Sequence, residues 1–139
     1  MGGVRAAAAV IALDTNVVVR FLTRDDPAQA SRAKALIETG STFLPRTVVL
    51  ETEWVLRTTY RFERAAVTAA LTKLLRLPGV DIEDRSTIVR ALDWSRQGLD
   101  FADALHLATS AQAEAFATFD RALRRRARAL AVTIPVVAP

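Results

Sequence analysis

The sequence predicts an α/β fold in which a mainly parallel sheet is flanked by helices, and three observations lead there. Short apolar runs recur along the chain, each followed by a longer segment with helical spacing. Cap and breaker residues stand at the junctions, among them Asp25-Asp26-Pro27, Gly40, Pro78-Gly79 and Gly98. Hydrophobic residues make up 51% of the 139, enough for one buried core and consistent with a single domain over residues 1–139.

Taken in order, residues 6–13 are small and apolar and lead into a first buried strand at 10–13, placed centrally in the sheet. The strand stops at Asp14-Thr15-Asn16, and residues 17–22 turn apolar again and begin a helix. An aspartate cap followed by Pro27 starts the next helix, which runs to Glu38 and is stopped by Gly40. Residues 42–44 form a second strand before Pro45. Helices follow at 48–60 and 63–75, the latter with Leu71, Leu74 and Leu75 spaced for one buried face. Pro78-Gly79 breaks the chain before a strand at 80–82. Helices at 85–97 and 101–114 come next, then a strand at 116–119 that ends at Asp120. A helix at 121–130 and a strand at 132–137 complete the chain.

Composition removes several kinds of chemistry. Without cysteine there is no disulfide, thiolate metal site or thiol nucleophile. One histidine, His106, cannot build a multi-histidine zinc or copper site. Lysine plus arginine number 19 against 15 acids, and only Lys34 and Lys73 are lysines. Arginine suits bidentate phosphate contact, though a net charge of +4 is weak evidence for nucleic acid. The apolar stretch at 2–13 is short for a membrane span and lacks a signal-peptide layout, so a cytoplasmic protein without membrane contact is expected.

Ligands of an open parallel sheet bind beyond the carboxyl ends of its strands. Asp14 and Asp120 each follow a strand, which puts both at one edge. Glu51 borders the apolar stripe of Leu50, Trp54 and Val55 and can face that edge, whereas Glu53 points elsewhere and can pair with Arg57. Asp100 is the natural cap of the helix at 101, and Asp103 lies in its first turn among small residues, where the helix dipole favours negative charge. Four such carboxylates would repel one another, and a divalent cation relieves that repulsion. Oxygen ligands alone point to Mg2+ or Mn2+. These residues support an acidic metal pocket and leave phosphatase, nuclease and non-catalytic cation site open.

In Asp14-Thr15-Asn16-Val17 the chain resembles the PIN-domain nucleases, and in particular the VapC-type toxins of bacterial toxin–antitoxin pairs. The segment Val48-Val49-Leu50-Glu51-Thr52-Glu53-Trp54 resembles the second acidic motif of that family, Asp100-Phe101-Ala102-Asp103 the third, and Ala117-Thr118-Phe119-Asp120 the fourth. The likeness runs from about residue 10 to 137, with all four acidic positions filled. It implies a PIN-like three-layer α/β/α sandwich around a mainly parallel central sheet. It implies hydrolysis of RNA phosphodiesters by metal-activated water, with Mg2+ or Mn2+. Asp14 and Asp103 would be central ligands and Asp120 a direct or water-mediated one, while Glu51 would hold a second ion or position the attacking water. Thr15, Asn16 and Thr118 would support them by hydrogen bonds. A homodimer held inactive by a cognate antitoxin is also implied.

The competing readings are a different metal phosphoesterase or DNA nuclease of the same fold, and a catalytically silent binding member. His106 reads as a local hydrogen-bonding or dimer residue. The arginines between Arg121 and Arg128 read mainly as a solvated helix face, with an RNA-backbone patch as the alternative; Arg20 and Arg24 are rival phosphate contacts. Trp54 and Trp94 are expected in the core or a dimer contact, and Tyr60 and Phe62 could line a groove for a partner helix.

Overall fold

The structure is a computed structural model that describes residues 9–139. The part of the predicted lead-in at residues 6–8 lies outside them. The α/β class is borne out, and every strand pairing among the described residues is parallel. Strand β1 (Ile11–Ala12) is followed by α1 (Thr15–Thr23) and α2 (Pro27–Glu38), which carry the chain to β2 (Thr42–Leu44). Helices α3 (Arg46–Thr58) and α4 (Arg64–Leu75) lead to β3 (Val80–Ile82). Helices α5 (Arg85–Arg96) and α6 (Phe101–Thr109) precede β4 (Phe116–Ala117), and α7 (Arg121–Ala129) joins it to β5 (Val136–Val137).

Parallel neighbours need crossovers, and the helices supply them. Ile11 pairs with Thr42 and Thr42 with Val80, giving a sheet ordered β1-β2-β3. Phe116 pairs with Val136 in a second sheet, β4-β5. The core lies between the helices and the larger sheet. Leu44, Leu56, Ile88 and Leu107 are fully buried, and α4 contributes Leu71, Leu74 and Leu75 as its spacing predicted. Asp26 accepts from the Gln29 amide at 3.1 Å with Pro27 in the first turn, so the predicted start of α2 holds. Among the described residues no helix is long and apolar enough to cross a membrane.

Several expectations are corrected. The first strand is an edge strand, not a central one: Val10 and Ile11 are exposed, and of the run only Leu13 is buried. Helix α3 is rotated from the predicted phase. Its buried positions are Val49, Thr52, Glu53 and Leu56, and Trp54 is 55% exposed. Val49 and Leu56 are the side chains that fit the core, and the seven-residue repeat between them sets which face turns inward. Glu53 can go in with them because Arg57 neutralises it at 3.0 Å, the predicted pair. Helix α6 ends at Thr109, where the Ser110 hydroxyl donates back to the His106 carbonyl and competes with continued helix. Strands β4 and β5 are shorter than the runs at 116–119 and 132–137.

Candidate acidic site

Asp14 stands at the junction of β1 and α1. Its extended backbone makes it the helix cap, and its side chain accepts from the Thr15 amide at 2.8 Å. Thr15 is buried, and its hydroxyl donates to Oε1 of Glu51 on α3. One hydrogen bond therefore joins the first and second acidic motifs across 36 residues of sequence. Glu51 itself is exposed, and its Oε2 makes no hydrogen bond among the described residues.

The remaining acids gather at α6. Asp100 caps that helix, its carboxylate accepting from the Asp103 amide at 3.1 Å. Asp103 occupies the first turn, and its carboxyl is held above the ordinary aspartate range. Burial is the main cause; the charges of Asp100 and Asp120 add to it, and His106 opposes it. Asp120 caps α7 through the Leu123 amide at 3.0 Å. The Thr118 hydroxyl accepts from the Asp120 backbone amide at 3.1 Å and shapes the turn that presents the carboxylate, without bonding the carboxylate itself. Asn16 is exposed in the first turn of α1.

The six predicted residues thus fall into two groups: Asp14, Asn16 and Glu51 about the start of α1, and Asp103, Thr118 and Asp120 about α6 and α7. Asp14 and Asp120 end strands of different sheets, so the single edge expected from the sequence is divided. No three acids or histidines among the described residues are drawn together tightly enough to hold an ion as they stand. The donor chemistry nevertheless fits a hard divalent cation. It is all oxygen, and the raised Asp103 beside two further carboxylates marks a local excess of negative charge that a cation relieves.

Sequence reasoning missed the charge of Asp100, which it took only as a cap. The signal was present: acids three apart at a helix start share a face. Arg20, read from the sequence as a rival phosphate contact, is engaged within the fold. It is paired with Asp25 at 2.9 Å and donates to the Tyr60 hydroxyl at 2.8 Å, and Tyr60 donates in turn to Asp25 at 2.7 Å. Those contacts hold the Asp25 carboxyl below its usual range, the Tyr60 hydrogen bond most of all, and hold the Arg20 guanidinium above its own through Asp25. On α7, Leu123 and Ala127 face inward, Arg124 donates to the Thr118 carbonyl at 2.7 Å, and Arg121, Arg125, Arg126 and Arg128 are exposed.

The family description PIN domain matches residues 11–129, from β1 through α7, and so spans every motif just placed. The chain belongs to the PIN domain family. PIN domains are in general metal-dependent nucleases, and their use of divalent ions agrees with the oxygen donors of α1, α3, α6 and α7. No curated protein matches the chain.

Proposed function

We propose that this PIN domain is a Mg2+- or Mn2+-dependent endoribonuclease and acts as the toxin of a toxin–antitoxin pair, as a homodimer restrained by a cognate antitoxin. The observation that carries the nuclease reading is the PIN-domain match over residues 11–129, within which Asp100 and Asp120 bear on the part-buried Asp103 carboxyl at the start of α6. RNA as substrate, and the toxin role, rest on the resemblance of the four motifs.

Asp14, Glu51, Asp103 and Asp120 would hold the ion, which when bound polarises phosphate oxygens and activates water. Thr15 occupies Oε1 of Glu51 and leaves Oε2 to meet an ion or to position the attacking water. Thr118 and Arg124 brace the turn that carries Asp120. The exposed arginines of α7 follow directly and suit the flanking phosphates. Phe119 is 85% exposed beside Asp120 and offers a face on which an unpaired base can stack.

The test is cleavage of a mixed RNA pool by purified protein with Mg2+ or Mn2+, then with chelator, alongside a folded Asp14→Asn variant. Metal-dependent cleavage leaving 5′-phosphate and 3′-hydroxyl ends, lost in the variant, is expected. Cleavage of single-stranded DNA in preference to RNA would replace the substrate. Growth arrest on expression of the wild type, absent with Asp14→Asn, is the expected sign of a toxin.

A further inference from the structure

A concave surface with a volume of about 950 Å³ lies along α4 and the end of α5. Its floor is made of Ala65, Thr68, Ala69 and Leu77. On α4 the first three recur at helical spacing, opposite the buried Val67, Leu71, Leu74 and Leu75. The outer face of α4 is thus made of small side chains, alanine and threonine, where a solvated helix would carry long polar ones. Small side chains on the outer face leave a trough in which a second backbone can approach closely.

The rim is wholly cationic. Arg64, Lys73 and Arg76 rise from α4 and its end, and Arg96 from α5. None of the four makes an ion pair among the described residues, where the pairs are Arg20–Asp25, Arg46–Asp84 and Arg57–Glu53. Arg96 donates to the Thr72 hydroxyl at 2.6 Å, which ties it to the groove wall. Asp93, the acid nearest it along α5, accepts from Gln97 at 3.3 Å instead. From Arg64 to Arg76 the trough is about 18 Å long, the length of about three helical turns.

We propose that this groove is a docking site for an acidic amphipathic helix of a partner protein. An apolar stripe of small or aliphatic side chains would lie on the alanine floor, and flanking carboxylates would meet the four unpaired cations. Nucleic acid fits the rim but not the floor, because the lining holds no aromatic ring for a base to stack on. A second copy of this chain docking by two-fold symmetry would bring the four cations against their own equivalents. The proposal rests on the α4–α5 surface alone and does not depend on the nuclease reading.

The test uses the full chain and a displayed library of helical peptides about four turns long, selected on the wild type. Two variants are measured in parallel, each checked for an unchanged Tm: Lys73→Glu with Arg76→Glu, and Ala69→Arg. Selected peptides are expected to carry Glu or Asp beside an aliphatic stripe. They should lose about tenfold or more in affinity for the double variant. They should also lose affinity for Ala69→Arg, which fills the trough while adding positive charge. Single-stranded RNA should bind Ala69→Arg as well as or better than the wild type. Peptides without acidic enrichment, or peptides indifferent to both variants, would overturn the proposal. So would RNA that competes with the peptide and is weakened by the double variant, and so would a wild-type dimer that Ala69→Arg converts to monomer.

Discussion

Asp103 shows how a single carboxyl carries opposed demands. Burial and the charges of Asp100 and Asp120 make its ionised form less favourable in the fold than in the unfolded chain. The raised value means that folding carries a cost once the unfolded side chain ionises, above about pH 4. The cost grows as pH rises to the raised value and is then constant; it vanishes at acid pH, where both states are protonated. Asp103→Asn should therefore raise the Tm of metal-free protein at neutral pH, flatten its dependence on pH, and lower RNA cleavage by about a hundredfold or more. Melting curves in chelator across pH check this, and a variant less stable than the wild type at neutral pH would contradict it. At the same scale, the Thr15 hydroxyl on Glu51 was legible as a supporting role from the resemblance. Its partner was not, because the two are joined only by folding.

Among the elements, the junctions were the most legible. Asp26 and Asp100 cap as their positions require, because capping depends on a few adjacent residues. Gly40 and Gly79 were read as local breakers, and the structure gives them a shared part. Both have a φ of +77°, and a Cβ on Gly79 would overlap the backbone of Gly40, whereas a Cβ on Gly40 would meet open space. The glycines let the turns before β2 and β3 lie together, and the Thr42 amide donates to the Gly79 carbonyl at 3.2 Å. Gly40→Ala and Gly79→Ala should share the cost of an unfavourable backbone angle, and Gly79→Ala alone should add about 1–3 kcal/mol from overlap. Denaturant unfolding of the pair measures that difference, and equal stabilities would refute the close approach. Phases of helices were less legible. In α3 the large apolar Trp54 suggested an inward face, yet the fit of Val49 and Leu56 to the core turned Trp54 outward.

In the whole molecule, the candidate site is shared between separate supports. Asp14 caps α1, where the neighbouring Thr15 hydroxyl donates to Glu51 on α3, while Asp103 and Asp120 belong to α6 and α7. An ion held by both groups would bind the folded chain and not the unfolded one, and would stabilise it by linkage. At a free metal concentration of about one hundred times Kd the gain should be about 2.7 kcal/mol. Thermal melting against Mn2+ concentration should show a rising Tm for the wild type and little change for Asp14→Asn. An equal rise in both would place the ion elsewhere.

The sequence by itself determined the α/β class, the order of helices and strands, the caps, and membership of the PIN domain family. Those features are written in periodicity and in short runs of adjacent residues, where local sterics and hydrogen bonding decide. Only the tertiary structure decided that β1 is an edge strand, that the strands divide into two sheets, and that Arg20 is taken by Asp25 and Tyr60. It alone brought the Asp120 charge to bear on Asp103 and left four cations of the α4–α5 groove without an acid among the described residues. Each of these depends on residues far apart in the chain, whose distance is set by how the core packs.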